Sequence, residues 1–443
     1  MPTIAAASVT NRSVLAIAVP IMLSNATEPL IGVVNTAVIG RLPEAYYIGA
    51  ITVGALVFNF IYWGFNFLRL GTGGLTAQAV GQGNRDELVA VLMRSLMIAA
   101  VTGIALVLLA PLIGRFAFSV IGGSAELRQH ARTYFDIRIY SAPFALANYC
   151  LLGWFIGQSR ARLAFAIQIV LNLVNMALCM LFVLGMGMTS NGVALGALFS
   201  EIVAALIGLA LALRILSRMG ARFDAATVFD RGKIVRTLTV NRDIMIRTVC
   251  LVFAFAWFTA QGAKAGDVIV SANAILFTFF NVAAYLIDGF AFASETLVGQ
   301  AVGAADRPRF QKAIRLTSVW AGAVGILAFA IILIGGPYFI DWMAVNPEVR
   351  ETARLYLFWA ALAPLIGVAC FQFDGIFAGA TATADMRNMM VVSLALYMAA
   401  WWLLQPWGNT GLWISLNAFF LARGITFSTR LPSLERQAFP QAA

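Results

Sequence analysis

Residues 280–307, FNVAAYLIDGFAFASETLVGQAVGAADR, repeat residues 58–85, FNFIYWGFNFLRLGTGGLTAQAVGQGNR, without a gap. Phe58/Phe280, Asn59/Asn281, Leu75/Leu297, Gln78/Gln300, Ala79/Ala301, Val80/Val302, Gly81/Gly303 and Arg85/Arg307 match at a single offset of 222 positions. The same offset pairs Tyr134 with Tyr356, Phe155 with Phe377 and Gly157 with Gly379. Apolar identities arise easily by chance, so the shared Gln-Ala-Val-Gly block carries most of the weight. A chain that duplicates its own half builds a two-lobed molecule.

Composition places both lobes in a bilayer. Of 443 residues, 61% are hydrophobic and only 11% charged, against about 25% charged in a soluble domain. Mean hydropathy is +0.86. A crossing needs about 20 apolar residues, and the pattern predicts twelve, near 14–39, 48–68, 90–113, 134–157, 163–186, 192–215, 244–262, 268–298, 314–336, 354–379, 389–406 and 410–428. The expected fold is therefore an all-α polytopic membrane protein with twelve transmembrane helices in two six-helix lobes. Residues 1–217 and 244–443 form the lobes, and the charged stretch 218–243 is a cytoplasmic linker. Six is even, so the second lobe enters from the same side as the first. The repeats are parallel, about a pseudo-two-fold along the membrane normal.

The net charge of +10 needs no nucleic acid. With a cytoplasmic N-terminus, 22 of the 30 Lys and Arg fall on inner segments, Arg247 and Arg423 among them. The outer side keeps Arg41, Arg115, Arg128, Arg132, Arg138, Lys264, Arg350 and Arg354. This bias puts both termini in the cytoplasm. The first span holds Pro20, Glu28 and Pro29 with no small-residue cleavage site after it, so it reads as a retained helix. Cys150, Cys179, Cys250 and Cys370 all fall in spans and form no metal or redox spacing.

No GxxxxGK[ST] phosphate loop occurs, and the single histidine, His130, reads as a solvated loop residue. Nothing points to an enzyme or a resident cofactor, and either the energy for work comes from an ion gradient or the protein merely equilibrates its ligand. Ionisable groups within spans cost roughly 2.5–3.5 kcal/mol each, which makes them functional candidates. Glu28, Asp288, Glu295 and Asp374 qualify, and no Lys or Arg at a span centre is expected to neutralise them. Desolvated acids without a cation exchange protons near neutral pH. Seven residues is about 10.5 Å of helix, close to two turns, so Glu28 shares a face with Asn35, and Asp288 with Glu295. Pro29 is expected to bend the first span at Glu28.

Amides accompany the acids. Asn172 and Asn175 share one face of the fifth span, Asn66 stands opposite Asp288 in the repeat register, and Asn281 and Gln372 lie in spans. Glu201 reads as structural, as does Glu295 if it staples the cytoplasmic end. Trp401 and Trp402 read as interfacial. Tyr62, Trp63, Trp257, Tyr285 and Phe292 are candidates to face a cleft, where aromatic faces with carboxylates bind lipophilic cations.

The strings VPIMLSNATEPLIGVVNTAVIGRL, FLRLGTGGLTAQAVGQG, NRDIMIRT, LIDGFAFASETLVGQAVG and FQFDGIFAGATATADMRNMM resemble the DinF branch of the multidrug and toxic compound extrusion (MATE) transporters, in order along nearly the whole chain. The resemblance implies twelve helices in two bundles around a central cleft and cation-coupled export of drug-like compounds by alternating access. With the buried acids, the expected function is a proton-coupled antiporter exporting amphipathic organic cations, a monomer in the plasma membrane, with Na+ coupling, uncoupled transport or lipid-linked sugar flipping as alternatives. A membrane enzyme is the reading from another class. The branch carries an Asp where this chain has Asn35, and often an acid where this chain has Cys179. Either Glu28 has taken over the carrier role, or coupling has moved to Asp288 and Asp374. Replacing Glu28 by Gln is expected to abolish or strongly reduce proton-coupled efflux from proteoliposomes. Full coupling in that variant rejects Glu28 as the carrier.

Overall fold

The computed structural model describes residues 8–39, 45–120 and 124–440, with the side chains of 28–46 outside the description. Among the described residues every regular element is helical. In order these are α1 (Asn11–Ile39), α2 (Ala45–Gly64), α3 (Phe67–Gly81), α4 (Arg85–Leu108), α5 (Ala110–Val120), α6 (Ala125–Arg138), α7 (Ala142–Gly157), α8 (Ala161–Met180) and α9 (Ser190–Met219). There follow α10 (Ala225–Val228), α11 (Arg231–Lys264), α12 (Asp267–Gly303), α13 (Arg307–Met343), α14 (Pro347–Gly379), α15 (Thr383–Leu404) and α16 (Gly408–Ala438). Gly49–Gly81 and Glu126–Gly157 each make one apolar crossing from two helices, whereas Thr383–Ala438 holds two. With α1 the chain has its twelve membrane helices.

Two of the expected spans are interrupted. Span two stops at Gly64 and restarts at Phe67, with Phe65 and Asn66 donating back to Tyr62 and Trp63 carbonyls as a turn. Asn66 thus sits in a break, while its register partner Asp288 lies inside the continuous α12. Span four is divided by a tight turn at Ile139–Ser141. Pro143 just after it suits a restarting first turn, where its missing N–H has no partner to lose. His130 is not in a loop; it lies in α6 with its ring 4.8 Å from that of Tyr47.

The chain forms two compact units. One contains Leu23–Ala79 and Asn84–Leu238; the other contains Thr239–Ala443, Val80–Gly83 and the start of α1 as far as Met22. The unit boundary falls inside α11, which runs unbroken across it.

The two halves of the sequence rebuild the same local devices 222 positions apart. Asn84 caps α4 by accepting from Glu87 N, and Asp306 caps α13 by accepting from Arg309 N. Gly83 and Ala305 both take left-handed backbone, φ 67° and 53°, to turn the chain into those helices. Ser159 (φ 61°) and Thr381 (φ 53°) do the same after α7 and α14.

The close approaches repeat too. A Cβ at Gly153 would strike the Arg69 carbonyl, and one at Gly157 would strike the Gly73 carbonyl. In the other unit the same holds for Gly375 against Ala291 O and Gly379 against Glu295 O. Helix pairs in lipid gain little from expelling water, so van der Waals packing decides how they associate. These seams admit no side chain.

The 218–238 stretch is pinned to the first unit. Arg94 donates to Thr227 O at 3.0 Å and pairs with Glu87, which also takes Lys233 Nζ at 2.5 Å. Arg236 donates to Gln78 Oε1 at 2.6 Å. Asp224 caps α10, and hydrogen bonds from the Thr227 hydroxyl and the Ala226 and Thr227 amides hold its carboxyl below the usual range.

Gly375→Leu should drive α12 and α14 apart and lower the melting temperature of the detergent-purified protein, at a cost of at least about 1–3 kcal/mol. Gly322→Ala, where an added Cβ meets nothing within 4 Å, should leave melting unchanged or slightly raised.

Candidate functional site

In the second unit the acid expected to be free is closed by cations. Asp374, buried in α14, accepts through Oδ2 from Arg423 Nη2 at 2.6 Å and from Arg247 Nη2. Its Oδ1 has no hydrogen-bond partner. Arg423 is fully buried in α16 and Arg247 is largely covered in α11. The expectation of unneutralised acids therefore fails at Asp374. Arg247 and Arg423 are not snorkelling to an interface; each reaches inward because a buried guanidinium without a counter-charge costs more than a bent side chain. Asp288 of α12 lies within electrostatic range of Arg423 and Cys370.

Glu295 is buried two turns along α12 from Asp288, and the Gly379 seam touches its backbone. Gln372 is buried with both amide atoms lacking partners, one turn before Gly375 on α14. Asn281 is half-buried one residue after Phe280. Trp257 stacks edge-on against Trp401 at 5.0 Å, which fixes both rings inside the second unit's packing. Trp402 alone of that pair is exposed.

The first unit has a different polar interior. Asn172 donates to Thr27 Oγ1 at 3.0 Å and accepts from Gln168 at 3.2 Å. Asn175 faces Ser200 Oγ at 3.4 Å. Both amides are buried and bond neighbouring helices, as expected of polar glue in a membrane bundle. Tyr62 is buried with its hydroxyl 2.7 Å from Ser141 Oγ. The side chains of Glu28 and Asn35 lie outside the described residues.

Sequence reasoning missed one more cluster. Arg138, expected on an outer loop, ends α6 inside the unit. It donates to the Tyr134 hydroxyl at 2.6 Å, with its guanidinium carbon 5.2 Å from the Phe58 ring centre. Its charge acts on Glu201 of α9, which accepts from Asn148 Nδ2 at 2.7 Å. The 222 offset relates Asn148 to Cys370 and Glu201 to Arg423. Equivalent places on α9 and α16 thus carry opposite charges. The signal was available in NAFFLARGITF, residues 417–427, where a lone arginine interrupts an apolar run.

Comparison with known proteins follows this geometry. The MatE family profile matches residues 20–181 and 244–403. The DNA damage-inducible protein F of Escherichia coli K12 is 37% identical over 419 residues, covering 94% of this chain and 91% of that one. A probable multidrug resistance protein NorM of Caulobacter vibrioides is 26% identical, covering 93% and 89%. A crystal structure of a MATE protein in a straight conformation superposes with a TM-score of 0.87 at 16% identity, covering 98% of each chain.

Asp374→Asn is expected to cost about 3–5 kcal/mol, because two guanidiniums lose their counter-charge. A lowered detergent melting temperature, partly restored by adding Arg247→Met, checks this.

Proposed function

The chain belongs to the MatE family of multidrug efflux transporters, and from that membership we propose that it is a proton-coupled antiporter exporting amphipathic organic cations by alternating access. Ligand and proton compete for carboxylates, so protonation from outside releases the cargo. The observation that carries the ionic part is the contrast between Glu201, bonded to the neutral amide of Asn148, and Asp374, held by two guanidiniums. A bound Na+ there would face two fixed positive charges at contact distance, a repulsion of several kcal/mol at intermediate dielectric. A proton needs only an acid whose partners tolerate both of its states.

Support for the cationic cargo comes from the first unit. Phe58, Tyr62 and Tyr134 cluster with ring separations of 5.5 and 6.2 Å about Phe58. The Phe58 and Tyr134 rings already hold the guanidinium of Arg138, the chemistry a lipophilic cation requires. Asn172 and Asn175 supply neutral polar contacts in the same unit. We assign the proton to acids outside the Asp374 cluster.

Efflux of a cationic dye from reconstituted vesicles, under separate proton and sodium gradients, tests this. The proton gradient alone should drive it. Efflux driven by sodium, or indifferent to both gradients, overturns the proposal.

A further inference from the structure

We propose that Glu201 is the carboxylate of the first unit that exchanges the driving proton, with Asn148 following its protonation state. This rests on the proton-coupled reading above. Glu201 lies on the stripe of α9 that carries buried Ala197, Ala204, Ala205 and Gly208, facing the unit's interior. Gly208 in that stripe packs on Leu151 of α7 and Ile167 of α8. Glu201 itself is half-buried.

Its direct partner is neutral. Asn148 Nδ2 donates to Glu201 Oε2 at 2.7 Å and to the Glu201 backbone carbonyl at 3.0 Å. The other end of the same amide, Oδ1, is buried with no donor. An ionised carboxylate can only accept, whereas a protonated one also donates. Turning the Asn148 amide by half a revolution presents Oδ1 to the protonated acid and satisfies the orphaned acceptor. Both protonation states of Glu201 thus find a hydrogen bond from one residue, without moving a helix. Asp374 has no such freedom, because its partners are permanently charged donors.

Among the described residues, the charged and titratable groups that act on Glu201 have partners of their own. From α6, Arg138 supplies a positive field while its guanidinium is bonded to Tyr134. From α2, Tyr62 lies within electrostatic range, its hydroxyl bonded to Ser141. The α8 neighbours Asn175 and Cys179 are neutral, and Asn175 bonds Ser200, the residue before Glu201. Arg138 supplies a constant positive field at Glu201, and an arriving organic cation adds to it. Binding of the cation expels the proton, and reprotonation weakens the hold on the cation.

The test separates this inference from the reading it rests on. Glu201→Gln keeps an acceptor for Asn148 and should fold. It should lose proton-driven dye efflux at least tenfold, the dye binding that remains should no longer vary with pH, and Glu201→Asp should restore a large part of the efflux. Asn148→Leu should move the pH profile of coupled efflux while preserving exchange. Wild-type coupling that survives intact in Glu201→Gln overturns the inference and leaves the antiporter standing. Wild type that ignores the proton gradient overturns the antiporter.

Infrared difference spectra of the purified protein decide Glu201 independently of transport. A pH-dependent carboxyl band should be present in wild type, shifted in Asn148→Leu and absent in Glu201→Gln. The same band undiminished in Glu201→Gln overturns the inference. If Glu201→Gln fails to melt cooperatively, the band in Asn148→Leu is read instead, and an unshifted band overturns the inference.

Discussion

A helix pair in a bilayer has no water to expel from its interface, so it is held by how closely its backbones can approach. Gly153 and Gly157 of α7 lie on the carbonyls of Arg69 and Gly73, and Gly375 and Gly379 of α14 lie on those of Ala291 and Glu295. These seams fix the rotation of α7 and α14, and with it the direction in which Asn148, Cys370 and Asp374 point. The polar interior of each unit depends on that rotation.

Within this shared frame the two units have diverged in charge. At one place on the duplicated architecture the first unit carries Glu201 and the second Arg423. The acid is paired with a neutral amide and the guanidinium with Asp374. A buried charge tolerates exchange only when its partner is satisfied in both states, and a guanidinium–carboxylate pair is not. The duplicated scaffold thus holds a locked electrostatic site in one half and a soft one in the other.

The linker shows the same economy of charge. Glu87 gathers Arg94 and Lys233, while Arg236 reaches Gln78 of the repeated Gln-Ala-Val-Gly block. In the second unit the equivalent Gln300 faces Arg309 of its own α13, at 3.4 Å. The repeated glutamine therefore meets a guanidinium in both halves, once from the linker and once from the following helix.

The amino-acid sequence alone determined the twelve apolar crossings, the duplication and the family, because hydrophobic length and a fixed repeat offset are local properties of the chain. It also flagged Asp288, Asp374, Glu295 and the amide pair Asn172/Asn175 as polar groups in spans, which they are. What it left undecided was pairing. Arg247, Arg423 and Arg138 lie away from span centres in sequence and were assigned to the inner or outer side, so Asp374 was expected to stand free. Glu201 read as structural for want of an acid at the repeat position, and its partner Asn148 lies 53 positions away on another helix. Only the tertiary structure decides which charges meet, since contact between helices follows from their rotation and from side chains that reach across several ångströms.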